Sequence, residues 1–208
     1  MNKIIFLLAI MLIACGPSAK FVSPDYEKPQ TIALLPINNQ TTDVNGAMVF
    51  RNLLYEKLRD KKYAKLLDIA VVDSLLNEQG ITDGGQLTTI SKEELFQALS
   101  VDGLLFLDLL ACDYQTLGFS ETRKVEANCK LYVLPAKLAW EDERKTSEGK
   151  SAVESLFGAL FNPVAAIKES ARDFEKQIII KGAKMWLLDH ELKPEMKKLV
   201  KKTVKTLP

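Results

Sequence analysis

Short apolar runs alternate with amphipathic stretches in the first half of the chain. The apolar run Thr31–Ile37 ends near Pro36 and predicts a strand buried on both faces, with Asn38–Asp43 as the loop at its carboxyl end. Apolar residues then recur at helical spacing, which predicts a helix over Asn45–Lys62. A second short strand is expected at Leu66–Ile69.

Two further helices are expected before the middle of the chain. Asp73 can cap a helix that Gly80 terminates, and residues 81–86 then form a turn. Ser91 and Glu94 have the spacing of a capping box, in which each side chain satisfies a free backbone amide. A third short helix is therefore predicted to start there.

The next segments indicate an antiparallel meander. Leu104–Ala111 is almost wholly apolar and pairs naturally with Lys124–Leu134, where apolar and polar residues alternate. Another strand is expected over Ala136–Arg144, which places Trp140 among charged residues, and Thr146–Lys150 is expected to form a polar turn. From residue 151 the chain is predicted to be helical.

This order of elements predicts an α/β (mixed α+β) fold, with an open mixed parallel and antiparallel sheet and helices on its faces.

The N-terminus has a separate pattern. Lys3 precedes the apolar run Ile4–Ala14, which is the layout of a secretory signal peptide and is too short to cross a bilayer. Leu12–Cys15 resembles the bacterial lipobox and predicts that Cys15 is acylated. An ordinary signal peptide, with Cys15 incidental, is the alternative.

The chain is therefore expected to consist of a signal peptide (1–14), a lipidated flexible tether (15–29) and a single mixed α/β periplasmic domain with C-terminal helices (30–208). Gly16 resembles the sorting signal of outer-membrane lipoproteins. We expect an outer-membrane protein, held to lipid through acylated Cys15, whose domain lies in the periplasm or is displayed on the cell surface.

Charge gives little indication of a partner. The chain has 28 Lys and Arg against 27 Asp and Glu, and removal of Lys3 with the signal peptide leaves 27 of each. This balance gives no electrostatic case for binding nucleic acid. The tail after His190 is rich in lysine and could contact anionic headgroups or an acidic protein surface, although a solvated helix end is the simpler interpretation.

The two cysteines of the domain suggest a disulfide. A hairpin centred between Ser120 and Glu121 would place Cys112 directly opposite Cys129, and the periplasm is oxidising. The alternative is a pair of buried, reduced cysteines, since a shift in register would separate them. No metal site is predicted, because two thiols are too few ligands for zinc.

Catalytic chemistry is not predicted. His190 is the only histidine, and a position near a helix C-terminus explains it as a favourable charge against the helix dipole. Asp108 lies among leucines, so it is either a carboxyl of raised pKa or the partner of a polar group. No phosphate-binding or metal-binding motif occurs, so no cofactor is expected.

Two segments are candidates for binding. The loop after the first strand lies where open α/β sheets commonly bind ligands. Its candidate ligand residues are Asn38, Asn39, Thr42 and Asp43. An apolar segment farther along either packs into its own domain or forms a patch for a partner subunit or the bilayer surface. Its residues are Leu156, Phe157, Leu160 and Phe161.

Several stretches resemble a known family. The stretches IALLPINNQTTDVNG, GITDGGQL and SKEELFQALSVDGLLFLDL, with the meander that follows, resemble a family of bacterial lipoproteins of unknown function. The family is encoded beside proteins similar to curli-type secretion channel subunits. Its fold is similar to the N-terminal domain of TolB and to lipoprotein activators of penicillin-binding proteins. The resemblance implies an accessory role in the envelope and supplies no catalytic residues.

The function expected first is that of a non-catalytic accessory protein that binds a partner in secretion or envelope assembly, with self-association as a further expectation. A small-ligand binding module of the periplasm is the alternative. A carboxylate-based periplasmic hydrolase is the third and less favoured hypothesis. It would require two suitably spaced carboxyl groups in a cleft.

Overall fold

The computed structural model describes residues 18–117, 120–151 and 190–208 of the chain. The strands in this part are β1 Phe21–Val22, β2 Thr31–Asn39, β3 Lys65–Leu66, β4 Gly103–Leu117, β5 Ser120–Val133 and β6 Lys137–Ser151. The helices are α1 Val44–Lys61, α2 Ile69–Glu78, α3 Lys92–Leu99 and α4 Lys193–Thr206, with a 3₁₀ helix at Gly84–Thr89.

The strands form one open sheet in the order β1-β6-β5-β4-β2-β3. β2 runs parallel to β3 and β4, while the other neighbours pair antiparallel. Parallel partners need a crossover connection, which α1 provides between β2 and β3, and α2 and α3 provide between β3 and β4. The predicted α/β fold with an open mixed sheet is confirmed.

Helices pack on both faces of this sheet. On one face, α1 and α4 contribute Phe50, Leu54 and Leu199 to a core that also contains apolar residues from β2, β4, β5 and β6. On the other face, α2 and α3 bury Leu76 and Leu95 against β2 and the start of β4. The helix periodicities predict these layers because each helix has one apolar side.

The first predicted strand is longer than its sequence suggested. Pro36 was expected to end the strand, but β2 continues to Asn39. The pairing with β4 shifts by one residue between Leu34 and Ile37, so an extra residue of β2 is accommodated in a bulge. Pro36 lies within this bulge, where its missing N–H does not interrupt a regular ladder.

Local capping determines where the helices begin. Asp68 caps α2, with its side chain accepting a hydrogen bond from Ala70 N–H, so the predicted cap at Asp73 and the predicted strand through Ile69 are wrong. The predicted capping box between Ser91 and Glu94 is present and starts α3. Reciprocal contacts of this kind satisfy amide groups that the first helical turn leaves free.

The predicted β4–β5 hairpin is confirmed, and β6 extends it further than expected. β6 runs on to Ser151, so the predicted polar turn over Thr146–Lys150 is wrong. Trp140 was expected among charges, but it is buried, and its Nε1–H donates a 3.0 Å hydrogen bond to the carbonyl of Thr206. Charged residues flank it in sequence because successive side chains of a strand point to opposite faces.

The chain before β2 is attached to the sheet. β1 pairs antiparallel with β6, Arg144 donates to the carbonyl of Ser18 at 2.9 Å, and Lys20 forms ion pairs with Glu141 and Glu143. Residues 18–29, the described part of the predicted tether (15–29), are therefore held against the sheet, and the prediction that they are flexible is wrong.

The lysine-rich tail after His190 contains a regular helix. α4 buries Met196 and Val200 against the sheet layer, while most of its lysines point to solvent. Lys61 of α1 donates to the carbonyl groups of Val204 and Leu207, at 2.9 Å and 2.8 Å, which satisfies acceptors at the end of α4. Among the described residues, none of the helices is both long and apolar enough to cross a membrane.

Candidate functional site

The loop at the carboxyl end of β2 is held by its own polar groups. Asn39 donates to the carbonyl of Asp43 at 3.0 Å and accepts hydrogen bonds from the amide and hydroxyl of Thr41. Asp43 caps α1, because its Oδ1 accepts a 2.8 Å hydrogen bond from Gly46 N–H. One oxygen of the Asp43 carboxylate is thus used by the helix, and the other, Oδ2, is left for other contacts.

Side chains from distant parts of the chain meet at Asp43 Oδ2. Cys112 Sγ, on β4, lies 3.4 Å from this oxygen. His190 Nε2, just before α4, hydrogen-bonds to the same oxygen. The sulfur, the ring nitrogen and the carboxylate oxygen all lie within 4.8 Å of one another. We call these residues the Asp43–Cys112–His190 cluster.

Gly46 permits this close packing. A Cβ atom at Gly46 would lie 2.7 Å from Cys112 Sγ and 3.0 Å from Asp43 Oδ2, which is closer than ordinary van der Waals contact. The first turn of α1 can therefore approach β4 only where the residue has no side chain.

The imidazole ring of His190 is oriented by the backbone. The N–H of Leu192 donates to His190 Nδ1 at 3.1 Å, so Nδ1 acts as an acceptor and Nε2 is the nitrogen that donates to Asp43. The helix C-terminus predicted beside His190 lies outside the described residues. The contact with Asp43 was not predicted.

The electrostatic environment keeps the Asp43 carboxylate ionised and the Cys112 thiol protonated. Burial acts to raise the pKa of Asp43, but hydrogen bonds from Gly46, His190 and Cys112 outweigh it and hold that pKa below its ordinary value. Burial, reinforced by the Asp43 charge, raises the pKa of Cys112 to about 12.

These pKa directions limit the chemistry of the cluster on its own. A thiol acts as a nucleophile only as the thiolate, and the environment of Cys112 disfavours that form. A glycosidase-type general acid needs a carboxyl whose pKa is raised, whereas the pKa of Asp43 is lowered. The geometry therefore favours binding over nucleophilic or acid catalysis by these two residues.

A cavity of about 400 Å³ opens beside the cluster. Its lining combines the three cluster residues with the polar and aromatic side chains of Asn45, Tyr114 and Glu191, and with Leu192. Tyr114 is half-exposed at the rim, and Asn45 is exposed. The cluster is thus accessible to a small solute from the solvent.

The candidate ligand loop is only partly available for binding. Asn38 and Asn39 belong to β2, and both use their side chains within the protein. Thr42 is exposed, and Asp43 belongs to the cluster. Asp43 is therefore the residue of the predicted loop that reaches a cavity, and ligand binding there stays a prediction.

Asp108 is the partner of polar groups, which was one of the two interpretations of this residue. Asn38 donates to Asp108 Oδ1 at 2.8 Å, and Lys130 Nζ lies 4.0 Å from Oδ2. The partner on the neighbouring parallel strand explains why a carboxylate can occur in an otherwise apolar strand.

The expected disulfide between Cys112 and Cys129 does not form, and both cysteines are free. Cys112 pairs with Val125 across the hairpin, while Cys129 pairs with Leu107. Four residues of β5 separate Val125 from Cys129, which corresponds to roughly 13 Å at the rise of an extended strand. This exceeds the reach of a disulfide, so the alternative of two buried, reduced thiols describes the structure.

The remaining predicted sites lie outside the described residues. They are Cys15 and the apolar segment with Leu156, Phe157, Leu160 and Phe161.

Sequence reasoning missed His190 and Cys112 as neighbours of Asp43 because 147 residues separate Asp43 from His190 and 69 separate it from Cys112. The available local signal was the cap position of Asp43, three residues before Gly46.

Comparison with known proteins places this chain in a family. A family model described as "Putative lipoprotein GNA1162-like" matches residues 22–194. The chain is 27% identical over 174 residues to "Putative lipoprotein NMB1124/NMB1162" of Neisseria meningitidis serogroup B, covering 79% of this chain and 80% of that relative.

A similar fold occurs in a solved structure. The crystal structure of lipoprotein GNA1162 from Neisseria meningitidis matches with a TM-score of 0.54 and 22% identity, covering 66% of this chain and 99% of that one. The LpoB C-terminal domain from Escherichia coli matches more remotely, with a TM-score of 0.40 and 11% identity over 60% of this chain and 87% of that one. The family model covers well over half of the sequence, so the chain belongs to the GNA1162-like lipoprotein family.

Proposed function

We propose that this protein is a lipid-anchored, non-catalytic accessory protein of the cell envelope, which binds a partner protein in secretion or envelope assembly. The observation that carries the proposal is membership of a lipoprotein family together with a cysteine directly after a short apolar run. Acylation of Cys15 would supply the anchor, and residues 1–14 would be removed as the signal peptide. Gly16 favours the outer membrane as the destination.

The attachment of the N-terminal segment to the sheet limits how far the domain can move from the membrane. Ser18 and Lys20 contact β6, and Cys15 precedes Ser18 by three residues. Three extended residues span at most roughly 10 Å. An acylated Cys15 would therefore hold the β1–β6 edge of the sheet near the lipid headgroups and leave the opposite edge, with β3, facing away.

This arrangement suits a binding protein better than a freely diffusing enzyme. A short connection to the membrane restricts the orientations of the domain and raises the effective concentration of any membrane-bound partner. The protonated thiol and the ionised Asp43 also argue against nucleophilic or acid catalysis at the cavity. The proposal includes self-association of the protein. It also includes contact with the lipid of the outer membrane through acylated Cys15.

The small-ligand alternative is kept because of one specific observation. The cavity beside Asp43 is open, and polar groups converge on it. A binding module for a small polar solute would use this cavity, while the accessory role would use the outer surface of the domain. The two functions are compatible with each other.

Lipid attachment is tested by metabolic labelling of cells with an alkyne analogue of palmitate. We expect the wild-type chain to be labelled and to fractionate with the outer membrane, and Cys15→Ser to lose both properties. Cys112→Ser is the matched control, since it also removes one thiol but should stay labelled. Labelling that persists in Cys15→Ser would refute the anchor.

Partner binding is tested by capture of the full lipidated protein from crosslinked cells, with Cys15→Ala beside it and mass spectrometry of the bound proteins. We expect an envelope protein of the secretion or assembly machinery to be enriched with the lipidated form. Equal recovery of all proteins with both forms would count against the accessory function.

A further inference from the structure

We propose that Asp43, Cys112 and His190 form a binding site for a divalent transition-metal ion of the zinc class. The carboxylate oxygen, the thiol sulfur and the imidazole nitrogen come from three separate elements and lie within 4.8 Å of one another. The proposal goes beyond the accessory function proposed above and does not depend on it.

The chemistry of the ligand set points to zinc more than to magnesium or calcium. Zinc binds thiolate sulfur, imidazole nitrogen and carboxylate oxygen, whereas the harder ions prefer oxygen alone. Three protein ligands leave a fourth position, which would face the cavity of about 400 Å³. Water or a small solute could occupy that position.

The site is largely preformed. Zn–ligand bonds of about 2.0–2.3 Å in a tetrahedral arrangement place the ligand atoms roughly 3.6 Å apart. Cys112 Sγ already lies 3.4 Å from Asp43 Oδ2. No two of the three ligand atoms are more than 4.8 Å apart, so the widest pair would contract by about 1 Å, whereas the hydrogen-bonded atoms His190 Nε2 and Asp43 Oδ2 would move apart to about 3.3 Å. Such a movement is within the range of side-chain adjustment and requires no change of strand register.

Gly46 supplies an independent observation. The space that a Cβ would fill at this position is the space beside Cys112 Sγ and Asp43 Oδ2. Because Gly46 has no side chain, the start of α1 can lie directly against both ligand atoms. Gly46 N–H also holds Asp43 Oδ1, which fixes the orientation of the ligating carboxylate in the way that outer hydrogen bonds orient metal ligands.

Metal binding would deprotonate Cys112 and change the tautomer of His190. Cys112 would lose its thiol proton to the solvent, because a coordinated thiol is deprotonated. With the ion on Nε2, the proton of neutral His190 would lie on Nδ1, so the 3.1 Å hydrogen bond from Leu192 N–H would break. The hydrogen bonds that His190 Nε2 and Cys112 Sγ donate to Asp43 Oδ2 would also be lost, and coordination bonds to the ion would replace them.

The ion would also connect separate parts of the fold. Asp43 precedes α1, Cys112 lies on β4, and His190 precedes α4. A bound ion would hold the start of α4 against the loop after β2, so metal binding should stabilise the folded state.

The test uses the full lipidated protein in detergent, stripped with a chelator and titrated with Zn²⁺ alone. We expect binding of one ion per chain. Cys112→Ser and His190→Gln should each weaken Zn²⁺ binding by more than about a hundredfold, which exceeds the usual effect of outer-shell partners. Cys129→Ser is the matched control, because it removes a buried thiol outside the cluster, and its affinity should equal that of the wild type.

A second measurement uses only the wild-type protein, so it does not depend on whether a variant folds. X-ray absorption of the zinc-loaded wild type should show one sulfur at about 2.3 Å and the remaining ligands as nitrogen or oxygen at about 2.0–2.1 Å. The cobalt-substituted protein should show a thiolate-to-metal charge-transfer band. Absence of stoichiometric Zn²⁺ binding, or a ligand shell without sulfur, would overturn the proposal.

Discussion

Arg51 of α1 donates a 2.8 Å hydrogen bond from Nη2 to the backbone carbonyl of Leu34 in β2. β3 pairs with β2 only at Thr31 and Ile32, so this edge of β2 has no strand partner at Leu34. The same guanidinium donates from Nη1 to Asp73 of α2 at 2.9 Å. α1 and α2 pack on opposite faces of the sheet, so Arg51 reaches around the edge of β2 and joins the two layers. It also occupies an acceptor that another strand could otherwise use.

Replacement of Arg51 should destabilise the fold. Arg51→Ala removes hydrogen bonds to a carboxylate and to a backbone carbonyl that is then left without a partner, so we expect a loss of about 2–3 kcal/mol in the free energy of unfolding. Arg51→Lys should recover only part of this, because an ammonium group cannot form both contacts in the planar geometry of a guanidinium.

Urea denaturation followed by circular dichroism measures this effect. Arg59→Ala is the matched control, since Arg59 lies on the same helix and is exposed; its change should stay within about 0.5 kcal/mol. Equal stabilities for the Arg51 and Arg59 variants would show that the contact across the edge contributes nothing.

Gly84 and Gly85 should differ sharply in their tolerance of a methyl group. A Cβ at Gly84 would lie 2.1 Å from the backbone carbon of Ile37 and 2.2 Å from the amide nitrogen of Asn38. Backbone atoms of β2 cannot move aside without breaking the sheet, so Gly84→Ala should cost about 3 kcal/mol or more, the scale of severe overpacking.

Gly85→Ala is the matched control for this prediction. The nearest atom to its Cβ would be the side-chain Oδ1 of Asp83 at 3.0 Å, which can shift slightly. We expect a cost below about 1 kcal/mol. Thermal unfolding of the two variants measures this difference. A Gly84→Ala protein as stable as Gly85→Ala would mean that the 3₁₀ helix does not pack against the backbone of β2 at Ile37 and Asn38.

The elements specified by local signals were predictable from the sequence. The capping box at Ser91 and the stop at Gly80 concern residues within one helical turn, and both are present in the fold. The hairpin was also predictable as a pair of strands. Its register was not predictable, because the pairing of β4 with β5 is centred two residues earlier than assumed and a bulge after Leu109 shifts the pairing again.

The candidate site was not predictable for a different reason. Asp43, Cys112 and His190 are each ordinary in sequence: a helix cap, a strand cysteine and a histidine near a helix. Their meeting depends on the parallel pairing of β2 with β4 and on the position of α4. The sequence contains no motif for these distances, since spacing rules apply only where ligands lie on one element.

The thiols of Cys112 and Cys129 should stay reduced in protein taken from cells without reductant. Alkylation with iodoacetamide after unfolding should modify both cysteines, because the hairpin register keeps their Cα atoms too far apart for a bond. Alkylation of the folded protein should be slow, since burial raises the pKa of both thiols. Recovery of a peptide pair joined through these cysteines would contradict the register.

Glu141 should make the stability of the fold depend on acid pH. Burial acts to raise the pKa of Glu141, but hydrogen bonds from Asn128 and Lys20, with the added charge of Lys130, outweigh burial and lower that pKa from its ordinary value of 4.5. A carboxyl whose pKa is lowered by folding stabilises the folded state at pH values above its unfolded pKa. That stability is lost as the pH falls below about 4.5 through the folded pKa.

Glu141→Gln should therefore be less stable than the wild type at neutral pH, by about 1 kcal/mol, and the difference should shrink as the pH falls below about 4.5. Glu143→Gln is the matched control, because it removes the other ion pair of Lys20 and leaves the hydrogen bond between Asn128 and Glu141 intact. The control should keep the acid-dependent loss that Glu141 causes. Urea titrations at a series of pH values measure these differences, and a constant gap between wild type and Glu141→Gln would show that Glu141 does not change its pKa on folding.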